Sequence, residues 1–116
     1  MRLAILLLII GVSLHSQEIS HTTQPILIHK TEPQYTKEAR DARLEGTVEL
    51  STMIGVDGVP SEIKVIRGLG MGLDAKAIEC LQQWRFKPAT SHSEPVSTKA
   101  TVQINFRLLD VPKLPR

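Results

Sequence analysis

One segment, residues 73–88 (LDAKAIECLQQWRFKP), constrains this chain more than any other. Leu73, Ala77, Leu81 and Trp84 recur at three- and four-residue spacing, so a helix puts them on one face. Asp74 stands where a carboxylate meets the free N–H groups and positive end of a helix. Arg85 and Lys87 stand near the negative end, and Pro88 cannot continue the helix. The pattern predicts one amphipathic helix closed by a Trp-Arg-Phe-Lys-Pro stop. A hairpin pattern precedes it and a long alternating strand follows, and that order nearly fixes the architecture.

The chain has 116 residues, enough for one domain, and a formal net charge of +2. No run of Lys and Arg is dense enough for a nucleic-acid footprint. With one Trp, one Tyr and two Phe, the core must be mostly aliphatic. Residues 3–14, LAILLLIIGVSL, follow the positive Met1-Arg2 start and precede small residues and polar His15, Gln17 and Glu18. That is the three-part pattern of a secretory signal, shorter than the roughly 20 apolar residues that span a bilayer. Residues 1–16 are therefore expected to be a signal peptide, cut after Ser13 or Ser16, or a short membrane anchor. No cysteine follows the apolar run to take a lipid. Cys80 is the only cysteine, so no internal disulfide can form, and its helix position points the thiol inward.

Residues 17–32 read as a lead-in, with the apolar 26–28 able to add a small strand. Thr36 is a candidate N-cap for a short helix over 37–43, and Gly46 is expected to end it. Over 46–54, Val48, Leu50 and Ile54 face one way, and Thr47, Glu49 and Ser51 the other. Asp57-Gly58 signals a hairpin, with Val59, Ile63 and Val65 on the inner face of the return strand. A two-residue turn pairs Leu50 with Val65; a four-residue loop pairs Ile54 with Val59. Residues 89–95 read as a polar loop and 96–109 as the last strand. In that strand Val102, Ile104, Phe106 and Leu108 alternate with Thr101, Gln103, Asn105 and Arg107. Residues 110–116, with Pro112 and Pro115, are expected to form a flexible tail. The predicted class is α+β: a three-stranded antiparallel sheet with two helices packed on one face. The predicted sheet order is second, first, last, leaving the last strand as a free edge.

No catalytic constellation is present, so the chain reads as a non-enzyme. His21, His29 and His92 lie in separate polar segments without ligand spacing, and no metal or other cofactor is implied. The glycines of residues 68–72, GLGMG, have the wrong spacing for a dinucleotide fingerprint, and they follow an antiparallel hairpin where that fingerprint needs a parallel unit. What remains is the edge. Past Pro95 the last strand holds no proline or glycine, and Lys99 and Arg107 are its only charges. Such an edge invites strand addition by an extended peptide, unless the tail or a second copy of the chain covers it.

Residues 33–109 resemble the C-terminal domain of the TonB family, the periplasmic domain of TonB-like energy transducers. The resemblance is carried by Pro33-Gln34-Tyr35, Ala39-Arg40, Glu45-Gly46-Thr47-Val48, Asp57-Gly58, Leu73-Asp74, Ala77 and Trp84-Arg85-Phe86-Lys87-Pro88. It implies a periplasmic domain whose last strand receives the short N-terminal box of an outer-membrane TonB-dependent transporter. By that resemblance the peptide-binding residues are Thr101, Val102, Gln103, Ile104, Asn105 and Phe106, with Gln34 and Tyr35 beside them. Thr36 stands where the family has the proline of a Tyr-Pro motif. Family transducers carry a transmembrane helix and a long proline-rich spacer. Here about 20 residues separate the apolar start from the domain and reach at most roughly 70 Å. The expectation is a secreted, stand-alone TonB-type domain that binds transporter peptides and is linked to transmembrane transport. The alternatives are a self-associating structural module, working as a homodimer, and a short anchored energy transducer. Only the anchored form would engage an inner-membrane motor complex.

Overall fold

The computed structural model describes residues 21–108. The expected signal peptide or anchor over 1–16, the first residues of the lead-in, Leu109 at the expected end of the last strand and the tail over 110–116 lie outside the described residues. In chain order the elements are β1 (Ile26–His29), α1 (Lys37–Asp41), β2 (Gly46–Ile54), β3 (Pro60–Arg67), α2 (Leu73–Gln82), β4 (Arg85–Lys87), β5 (Ala89–Ser91), β6 (Glu94–Val96) and β7 (Thr98–Phe106). The fold is α+β. Its central antiparallel sheet has the order β3-β2-β7, which is the second-first-last order read from the sequence. Two small antiparallel ribbons, β1–β4 and β5–β6, flank it.

Alternation decides which face is buried. Val48, Leu50, Thr52 and Ile54 of β2 point into the core with Val102, Ile104 and Phe106 of β7. The helices close the other side with Ala39 of α1 and Leu73, Ala77, Cys80 and Leu81 of α2. Thr52 is the one buried polar side chain among the described residues, and its Oγ1 donates to the Ser61 carbonyl at 2.7 Å. A buried hydroxyl so paired avoids the desolvation penalty of an unmade bond. The β2–β7 register runs unbroken from Gly46↔Phe106 to Ile54↔Thr98.

The helix expected over 73–88 is shorter than its apolar pattern suggested. α2 ends at Gln82, and the amides of Gln83 and Trp84 bond to the carbonyls of Cys80 and Leu81 at 3.0 Å, a tightened last turn. Residues 85–87 then alternate exposed, buried, exposed around Phe86 and form β4 against β1. Tertiary pairing with Ile26–His29 thus overrides a helical reading that Trp84 had extended. Asp74 is also placed differently: its Oδ1 accepts from the amides of Leu69 (2.7 Å) and Gly70 (3.4 Å) in the glycine loop. Gly72, with φ of 81°, occupies the N-cap without a side-chain bond.

α1 begins as expected, with Thr36 as N-cap accepting from the Ala39 amide at 3.1 Å. It stops earlier than Gly46. Arg43 takes the left-handed conformation (φ 56°), while the Leu44 amide bonds to the Ala39 carbonyl and the Arg43 amide to the Arg40 carbonyl, both at 3.0 Å. This is a Schellman closure with arginine where glycine is usual.

The hairpin is a compromise between the two registers the sequence allowed. Leu50 pairs with Val65, but near the turn Ile54 pairs with Pro60, across a register shift between Ser51 and Met53. The loop closes with Gly55 N–H to the Val59 carbonyl (3.2 Å) and Gly58 N–H to the Gly55 carbonyl (2.9 Å). Gly58 has φ of 79°, and Asp57 Oδ1 accepts from the Val59 amide at 3.1 Å. Val65 shares the face of Leu50 but remains 38% exposed on the edge strand. At the other end, the expected loop 89–95 is the hairpin β5–β6, turned by His92 (φ 51°) and Ser93 (φ 69°). The last strand therefore starts at Thr98, and Val96 belongs to β6.

Candidate functional site

β7 is paired to β2 along its whole length on one side. Among the described residues no strand pairs with its other side. Val102, Ile104 and Phe106 are 8%, 1% and 1% exposed, so their side chains belong to the core and only their main chain can face a partner. Thr101, Gln103 and Asn105 alternate with them and are exposed. Asn105 is steadied by Thr47, whose Oγ1 donates to its Oδ1 at 2.8 Å.

The chain after β1 runs beside this edge. Residues 30–33 border a small cavity of about 80 Å³ with Trp84, Gln103, Ile104 and Asn105. No backbone hydrogen bond joins residues 30–33 to β7 among the described residues. The Thr31 carbonyl instead accepts from Trp84 Nε1 at 3.0 Å and from Cys80 Sγ at 3.1 Å. A wider groove of about 400 Å³ continues toward the end of β7, lined by Glu32, Pro33, Tyr35, Asn105, Phe106 and Arg107. One wall of both hollows is the edge itself.

Tyr35 and Gln34, expected near the contact, take different parts. Gln34 is exposed. Tyr35 is half-buried, its hydroxyl donates to the Leu44 carbonyl at 2.7 Å, and its ring stands edge-on to Phe106 with centroids 5.5 Å apart. It therefore shapes the groove wall and ties α1's exit to the end of β7. Burial holds its phenol above the ordinary value of 10.0; the Glu45 carboxylate raises it further and Arg40 lowers it. Glu45 also accepts from the Leu108 amide at 2.6 Å, fixing the exit of β7.

Sequence reasoning missed the wall made by Thr31, Glu32 and Pro33. One signal pointed there: a buried indole needs an acceptor for its N–H, and Trp84 finds it in the lead-in. The histidines expected to stay apart are partly brought together. The rings of His21 and His92 stack with centroids 4.9 Å apart, and His92 N–H donates to the His21 carbonyl at 2.8 Å. No group of three His, Cys, Asp or Glu side chains suited to a metal occurs among the described residues, and no described helix is long and apolar enough to cross a membrane.

A three-stranded sheet with β3 and β7 at its two edges, roofed by two helices and walled beside β7 by a clamped lead-in, defines a small α+β domain. The chain belongs to the family of the Gram-negative bacterial TonB protein C-terminal domain, whose model matches residues 31–108. It is 30% identical over 95 residues to the protein TonB of Vibrio cholerae, covering 75% of this chain and 39% of that protein. It is 33% identical over 82 residues to the protein tonB2 of Pseudomonas aeruginosa, covering 70% of this chain and 30% of that protein. The chain thus matches less than half the length of both relatives. The solution NMR structure of the Pseudomonas aeruginosa TonB C-terminal domain superposes with a TM-score of 0.61 at 23% identity, covering 77% of this chain and 91% of that one. At that identity the likeness speaks for the fold.

Proposed function

We propose that this domain binds extended peptide segments of outer-membrane TonB-dependent transporters by strand addition to β7, in the periplasm. The observation that carries this reading is the open side of β7, one wall of the hollows at Gln103, Asn105 and Phe106. An added strand lies about 4.8 Å from its neighbour and takes its grip from main-chain bonds, so the burial of Val102, Ile104 and Phe106 is no obstacle. Thr101, Gln103 and Asn105 contact the incoming strand's alternate side chains, and Gln34 and Tyr35 border its end. Membership of the TonB C-terminal family supports the choice of partner. The periplasmic location is supported by the positive start, apolar run and small residues of the first 16 positions.

The test is an amide NMR titration with a transporter-box peptide. The amides from Thr101 to Phe106 should shift together, while those of β3 on the opposite edge stay still. Shifts in β7 that respond to dilution and ignore the peptide would instead identify a self-associating module.

A further inference from the structure

The ribbon β1–β4 carries the largest apolar anomaly of the described surface. Ile26, Leu27 and Ile28 are 55%, 40% and 65% exposed although they are consecutive residues of a strand. Cross-strand pairing sorts them. Leu27, the least exposed of the three, sits opposite buried Phe86, whereas Ile26 sits opposite exposed Lys87. Ile28 falls in the register shift between Leu27 and His29, without a cross-strand partner, and its exposure turns it to solvent. The exposed face of the ribbon is therefore aliphatic, with cations at its margin: Lys87, Arg85 and the following Lys30 are all exposed. Neither β1 nor β4 contains an acidic residue. Arg85 spends one guanidinium nitrogen on the carbonyls of Gln82 and Trp84, at 2.8 and 2.7 Å, which fixes its position at this margin.

We propose that this ribbon docks on an anionic lipid surface, with Ile26 and Ile28 entering the headgroup boundary and Lys87, Arg85 and Lys30 meeting the lipid phosphates. Apolar side chains ringed by cations are what an anionic bilayer attracts, through burial and charge together. The path of the chain favours a membrane over a peptide or a second copy. Just upstream of β1 the backbone is stitched to the β5–β6 hairpin by Thr23 N–H to the Thr90 carbonyl and His92 N–H to the His21 carbonyl, both at 2.8 Å. Residues 15–20 join that stitch to the apolar run 3–14. From the end of that run to Ile26 the chain is twelve residues and reaches at most roughly 40 Å, so a retained apolar run keeps the ribbon within that distance of the bilayer it enters. Lys30 also borders the small cavity beside β7, but Ile26, Ile28, Arg85 and Lys87 line neither hollow at that edge, so variants at Ile28 and Lys87 test the proposal independently of peptide binding.

The test uses isoleucine-methyl NMR on the full chain with small vesicles carrying a nitroxide-labelled lipid. With phosphatidylglycerol present, the Ile26 and Ile28 methyl signals should be quenched by the nitroxide while those of buried Ile54 and Ile104 persist. Lys87→Glu should weaken this vesicle binding roughly tenfold, and Ile28→Asp by a similar factor, without altering the Ile54 and Ile104 signals. Quenching that is equal on pure phosphatidylcholine would overturn the role of charge. Absent quenching, or shifts at Ile26 and Ile28 that follow protein concentration without lipid, would overturn the docking itself, the latter in favour of ribbon-to-ribbon pairing.

Discussion

The indole of Trp84 donates to the Thr31 carbonyl at 3.0 Å, across 53 residues of sequence. Cys80, one helical turn earlier, donates its thiol to the same oxygen at 3.1 Å. Two α2-side donors thereby hold the lead-in against the wall of the groove beside β7. Trp84, prominent in the sequence pattern, is thus a clamp on the lead-in as well as a core side chain.

Trp84 should separate these two roles by substitution. Trp84→Ala removes a ring that is 8% exposed and should cost about 3–5 kcal/mol in urea unfolding. Trp84→Phe keeps most of the apolar volume and removes one of the two donors to the Thr31 carbonyl, Cys80 remaining, at about 0.5–1.5 kcal/mol. In that variant hydrogen exchange should accelerate at residues 30–33 ahead of the central sheet. Near-wild-type melting of Trp84→Ala would show that the ring is not core.

Gly58 should not tolerate a side chain. A Cβ built there would lie 2.0 Å from the Phe86 carbonyl oxygen, and the backbone φ is 79°. The same approach lets the Phe86 amide donate to the Gly58 carbonyl at 3.0 Å, joining the hairpin turn to β4. Left-handed strain and the forced shift of β4 together should cost Gly58→Ala at least about 2 kcal/mol, or roughly 10 °C in Tm. Calorimetry decides it. A small loss would mean that β4 gives way freely.

Thr36 accepts from the Ala39 amide and donates to the Met71 carbonyl at 2.7 Å. A proline at this position could make neither bond. Thr36→Ala should lower stability by about 1–2 kcal/mol, one part from the cap and one from the tie to the glycine loop. Thr36→Ser keeps the hydroxyl and should recover most of that loss. Equal destabilisation by both changes would locate the effect in the Thr36 methyl instead.

Tyr35 is the only tyrosine, so alkaline titration reads it alone. Its ionisation should fall above 10.0 in the folded protein, because burial and the Glu45 charge both disfavour the phenolate. The folded value exceeds the unfolded one, so the stabilisation is complete below pH 10 and is lost as the pH climbs through the folded value. Glu45→Gln should bring the tyrosinate transition down, and Arg40→Gln should move it up. A midpoint that ignores both substitutions would contradict the placement of this ring.

Much of this architecture could be read from residue order. The alternation of Val48, Leu50 and Ile54 and of Val102, Ile104 and Phe106 marked two strands and their buried faces correctly. Thr36, Asp57 and Gly58 announced their cap and turn. The β5–β6 hairpin escaped notice because its turn uses His92 and Ser93 at positive φ, where glycine or asparagine would have signalled it. Arg43 hid the end of α1 in the same way. Residues 85–87 misled because Trp84 falls on the helical period, while a strand was available 56 to 61 residues upstream to claim them. Of the candidate site, the order and open side of β7 followed from topology. The part of Tyr35 did not: it spends its hydroxyl on Leu44 and sets its ring against Phe106.

The sequence by itself determined the family, the α+β class, the strand order and the open edge, because hydrophobic period and turn chemistry are local properties. Only the tertiary structure decided where α2 stops, that Thr31 to Pro33 wall the groove, and that Ile26 and Ile28 face outward beside Lys87. Those outcomes rest on pairings between segments tens of residues apart, whose energies depend on distances that no local pattern encodes.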